Sequence, residues 1–101
     1  TLGLLQAQTS GTPITFGVPG STNTQFLGVD DAGEAVGFFV DAHNNTHGVI
    51  YNPANGMWQQ VDDPKGVGGT VLNGINNKNQ AVGFYTDAAG NVHGVVVTIT
   101  P

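Results

Sequence analysis

The chain repeats itself. Gly28–Tyr51, GVDDAGEAVGFFVDAHNNTHGVIY, lies without a gap over Gly74–Val97, GINNKNQAVGFYTDAAGNVHGVVV, at a shift of 46 residues, and 11 of the 24 positions are identical. A shift of 45 sets Leu2-Gly3-Leu4-Leu5 over His47-Gly48-Val49-Ile50 and Pro19 over Pro64, so the N-terminal stretch reads as the tail of a third copy. Similarity at a fixed period of this size marks stacked supersecondary units, each needing a neighbour to bury its apolar face. The repeat therefore points to an architectural or binding protein.

No stretch keeps the 3.6-residue apolar period of a helix, and Gly or Pro interrupts each candidate. Short β-branched and aromatic runs alternate with turn residues instead, which predicts strands near 2–8, 13–18, 25–30, 34–41, 46–52, 57–62, 70–75, 80–87 and 92–100. Gly33 and Gly90 suit hairpin positions with positive φ, where a side chain is penalised. The expected fold is all-β: two four-stranded, antiparallel, propeller-blade-like repeats of about 46 residues, near 13–52 and 57–100, plus an extra N-terminal strand over 2–8. That extra strand, with Leu2, Leu4 and Leu5 as its apolar residues, is expected to close a ring, cap an edge or pair with a neighbouring chain. A cut from a longer array would explain it equally.

Composition narrows the function. Lys65 and Lys78 are the only cations and the net charge is −5, which argues against nucleic acid and anionic membranes, since phosphates need clustered Lys or Arg. There is no cysteine for a disulfide framework or thiolate site. No apolar run reaches the roughly 20 residues of a spanning helix and no signal peptide is read; a start at Thr1 is compatible with a mature, processed form as well as with a fragment of a longer array. A surface of Asn, Gln, Thr, Ser and Gly suits a secreted bacterial β protein, and low charge offers little resistance to self-association.

The second copy matches a pattern G-[IV]-N-x-x-G-x-x-V-G-x-[YF]-x-D-x-x-G-x-x-H-[AG]-F at Gly74, Ile75, Asn76, Val82, Gly83, Tyr85, Asp87, Gly90, His93 and Gly94. The first matches at Gly28, Val29, Gly33, Val36, Gly37, Phe39, Asp41, His47 and Gly48. In this the chain resembles the bacterial extracellular repeats called the HAF family. It departs from them where Val49 and Val95 replace the final Phe, Asp30 the Asn and Asn79 a Gly. The resemblance implies a secreted or surface-attached β-repeat protein and no particular activity.

Candidate chemistry is thin. His47 and His93 could be metal ligands or general bases, but each follows an Asp (Asp41, Asp87) by six residues across a tight hairpin. A feature made once per unit fits turn bracing better than catalysis, which needs groups in distinct roles. Asp30, Asp31 and Glu34 could bind Ca²⁺, yet their counterparts are Asn76, Asn77 and Gln80, which favours Asx turns over a metal. Asp62-Asp63-Pro64 reads as a turn and His43 as an exposed loop residue. Trp58, flanked by amides, reads as a sugar-stacking platform or as cover for a core edge or a seam between subunits. Ser10 and Ser21 are the only serines, neither in a nucleophile motif, and Gly66-Val67-Gly68-Gly69 lacks the Lys and helix of a phosphate loop. The expectation is a non-enzymatic protein without cofactor or metal that assembles with itself outside the cell, the alternative being a carbohydrate-binding module centred on Trp58.

Overall fold

The computed structural model describes residues 15–99, and these are all-β with no helix. The strands are β1 (Asn23–Val29), β2 (Ala35–Val40), β3 (Thr46–Asn52), β4 (Met57–Val61), β5 (Thr70–Ile75), β6 (Gln80–Thr86) and β7 (Val92–Thr98). All pairing is antiparallel, in two sheets ordered β1-β2-β3-β4 and β5-β6-β7. Each strand lies within two residues of its expected span.

Pairing divides the chain at a different phase from the sequence comparison. Met57–Val61, expected to open the second repeat, pairs along β3 through Gly48↔Val61 to Asn52↔Met57 and so closes the first sheet. Thr15–Val18, the described part of the strand expected at 13–18, is not strand and leads into a turn at Pro19-Gly20. The strand expected at 2–8, with Leu2, Leu4 and Leu5, lies outside the described residues. The blade count therefore stays open, and the secure statement is two antiparallel sheets of four and three strands.

The recurring Ala-Val-Gly-Phe has a geometric cause. β1 carries a bulge between Phe26 and Gly28 opposite Gly37, and β5 carries the same bulge between Leu72 and Gly74 opposite Gly83. A Cβ on Gly37 would overlap the Gln25 carbonyl oxygen, and one on Gly83 the Val71 carbonyl oxygen. Only glycine allows the kinked strand to cross this closely.

The second sheet packs on one face of the first, with β5 lying over β1, β2 and β3. Val36 and Ile50 of the first sheet meet Leu72, Ala81 and Ile99 of the second in one core cluster. A second cluster of Phe39, Val49 and Val18, with Phe16 packed against it, lies on the opposite face of the first sheet. Registers explain the division: Val36 faces Ile50 across β2 and β3, while Gly37 and Val49 point the other way.

Candidate functional site

Both repeated Asp–His pairs form the same brace. Asp41 Oδ1 accepts the N–H groups of His43 and Asn45 at 2.8 and 2.9 Å, and Asp87 Oδ1 those of Ala89 and Asn91, each at 2.9 Å. The other oxygen takes the histidine: His47 Nε2 to Asp41 Oδ2 and His93 Nε2 to Asp87 Oδ2, both 2.8 Å. One carboxylate thus folds the hairpin turn and fixes the ring on the following strand. The His47 hydrogen bond first, then the Asn45 N–H, hold the Asp41 carboxyl down at about 2, and His93 then Asn91 lower Asp87.

Among the described residues His93 meets one carboxylate, whereas His47 meets a second. Its Nδ1 lies 2.7 Å from Asp62 Oδ1, while Gln60 Nε2 donates to Asp62 Oδ2 at 2.6 Å. Partial burial disfavours the charged ring, but the hydrogen bonds to Asp41 and then Asp62 outweigh it and raise its pKa above 6.5. Both ring nitrogens thus lie against carboxylate oxygens, so that in its protonated form His47 is a strut donating to both and tying β3 to the end of β4. Asp62 and Gln60 escape a reading by repeats because their counterparts in the N-terminal copy are Gly17 and Thr15, which repeat neither the carboxylate nor the amide. Among the described residues no group of three or more acidic, His or Cys side chains is placed to hold a metal.

The acidic turn also resolves into hydrogen bonds. Asp30 Oδ1 accepts from the N–H groups of Ala32 and Glu34, just as Asn76 Oδ1 accepts from those of Lys78 and Gln80. Gly33 at φ 88° and Asn79 at φ 61° fill the same left-handed position. Asp31 and Asn77, themselves 46 residues apart, bond each other: Asn77 Nδ2 donates to Asp31 Oδ2 and Asp31 N–H donates to Asn77 Oδ1, both at 2.8 Å. His43 is exposed. Trp58 pairs with Tyr51 across β3 and β4 and lies edge-on to Phe39, at the border of a ring cluster in which Phe16, Tyr51 and Phe26 stack.

The largest asymmetry lies on the sheet faces. Val36 and Ile50 are 0 % and 4 % exposed beneath the second sheet, whereas their equivalents Val82 and Val96 are 44 % and 66 % exposed. A Cβ on Gly48 would meet the Val61 carbonyl oxygen at 2.9 Å and Leu72 Cγ at 3.2 Å; one on the equivalent Gly94 meets nothing within 4 Å. Likewise a Cβ on Gly28 would sit 3.1 Å from the backbone of Gly74, but one on Gly74 meets only Val82 of its own sheet. The two strands β6 and β7 place Val82, Phe84, Gly94 and Val96 on this face, and no charged residue of either strand shares it. The second sheet therefore presents the surface that the first sheet has covered. Contact between the sheets is heterologous, one face meeting the opposite face of its neighbour.

Comparison of the chain with known protein families, curated proteins and solved structures finds no match.

Proposed function

We propose that this chain is a secreted or surface-attached, non-enzymatic β-repeat module that works by associating with further copies of itself, blade-like sheet upon sheet. The observation that carries this is the pair of equivalent positions Val36/Ile50 and Val82/Val96, buried in one sheet and open in the next. Apolar, uncharged sheet faces call for cover, and the chain itself carries the matching surface on the far side of its first sheet. A contact between unlike faces cannot satisfy itself in a two-fold pair. It repeats head to tail, giving a ring where the rotation closes and a filament where it does not. The resemblance to extracellular HAF repeats and the amide-rich, weakly charged surface support the location. Light scattering tests the reading: masses at multiples of 10.4 kDa that grow with concentration support it, and a constant 10.4 kDa contradicts it.

A further inference from the structure

The stretch that leads into β1 repeats three hydrogen bonds of the stretch that joins the two sheets. Val18 N–H donates to Thr24 Oγ1 at 3.2 Å, as Asp63 N–H donates to Thr70 Oγ1 at 3.1 Å. Ser21 N–H donates to the Val18 carbonyl at 2.9 Å, as Gly66 N–H does to Asp63 at 2.8 Å. Thr22 N–H donates to the Val40 carbonyl at 2.8 Å, as Gly68 N–H does to Thr86 at 2.9 Å. Pro19 and Pro64 take the second position of the two turns, where a fixed φ favours them. Val67 alone has no counterpart, which is why the repeat shift changes from 45 to 46.

What precedes each linker then matters. Before 62–69 comes β4, which closes the first sheet along β3 and ends in Val61, packed against the core cluster that the two sheets share. Before 17–22 comes Phe16, packed in the same manner against Phe39 and Val49 of the first sheet. Phe16 thus holds before its linker the place that Val61 holds before the other, on the face of the first sheet turned away from β7. Among the described residues, meanwhile, nothing pairs with the outer edge of β7, the edge that β4 fills on β3. An unfilled edge is a template for another strand.

The geometry points to a second copy of this chain as the occupant: the segment running into Phe16 of one copy adds to the β7 edge of another as the missing fourth strand. The linker 17–22 then lays β1–β4 of that copy over the uncovered face, reproducing the joint between the two sheets. This rests on the head-to-tail stacking proposed above and supplies its connector. Moving the β3–β4 register by the two repeat shifts sets Phe16 opposite Gly94 and Thr15 opposite Val95, as Val61 stands opposite Gly48 and Gln60 opposite Val49. Phe16 packs on the face of the first sheet turned away from the second, so the strand joins a neighbour's β7 and not its own.

Directly opposed residues of antiparallel strands hold their Cβ atoms about 4.5–5.5 Å apart, close enough for a disulfide after a small adjustment. The test is therefore the double variant Thr15→Cys with Val95→Cys under mild oxidation, against Thr15→Cys with Val96→Cys, whose second cysteine points to the other face. Denaturing gels without reductant should show a ladder of covalent oligomers for the first pair, several-fold more abundant than for the second. Hydrogen exchange on the unmodified chain gives a second readout, with slowed exchange at the outward N–H groups of β7 on assembly. Assembly with no preference between the cysteine pairs and no slowing along β7 overturns strand donation while leaving stacking in place. A chain that stays monomeric at every concentration overturns both.

Discussion

Val96→Asp puts a carboxylate where the next copy is to sit. In the covered sheet the equivalent residue is Ile50, 4 % exposed and packed with Leu72, Ala81 and Ile99. Fully covering an exposed valine contributes about 1.5–3 kcal/mol, so covering the exposed two-thirds of Val96 contributes about 1–2 kcal/mol, which the variant forfeits. The aspartate must also be stripped of water with no partner in reach, a penalty of several kcal/mol for an uncompensated buried charge. Even counting only about 3 kcal/mol, association should weaken by more than about 100-fold, since 1.4 kcal/mol is a factor of ten. In the separated chain the same residue is two-thirds exposed, so thermal stability at high dilution should change by less than about 0.5 kcal/mol. Val67→Asp is the control, with the same charge change at a residue 70 % exposed and without a counterpart in the other linker. Light scattering across a dilution series reads both. Equal effects of the two substitutions, or full assembly of Val96→Asp, would refute the reasoning.

Two further outcomes follow from the same geometry. His47 has a raised pKa, so its contribution is fully present below pH 6.5 and fades as pH rises through the folded value; Asp41, lowered to about 2, contributes above pH 3.8 and loses that contribution as pH falls toward 2. Melting temperature should therefore be highest between about pH 4 and 6.5, and His47→Gln should remove the alkaline decline; a decline unchanged in that variant would contradict the strut. Gly83→Ala places a methyl on the Val71 carbonyl oxygen and should cost at least the ~3 kcal/mol of severe overpacking, measured by urea unfolding, whereas Gly94→Ala, with open space around it, should leave the isolated chain's stability almost unchanged.

Much of the fold was legible because strand signals are local. Runs such as Ala-Val-Gly-Phe-Phe-Val and Thr-His-Gly-Val-Ile-Tyr carry their own alternation and are bounded by Asx and Gly turns, so β2 and β3 fall where expected. The Asp–His brace was legible for the same reason, since six residues across a hairpin bring the two side chains together. The phase of the repeat was not legible. A period of 46 residues can be cut at any point, and only the pairing of Met57–Val61 with β3 shows where a sheet ends. Nor were Asp62 and Gln60, which reach His47 from 15 and 13 residues away and whose counterparts Gly17 and Thr15 repeat neither side chain. Sequence likewise makes Val36 and Val82 equals; their different burial comes from stacking alone.

The central claim is that another copy of the chain covers the outer face of β5–β7. The most direct measurement is NMR relaxation of valine methyl groups by a water-soluble paramagnetic probe, recorded from micromolar to millimolar protein. The account predicts that Val82 and Val96 methyls become shielded as concentration rises, approaching the protection of Val36, while Val67 stays fully accessible. Val82 and Val96 methyls that remain as accessible as Val67 throughout the series would contradict it.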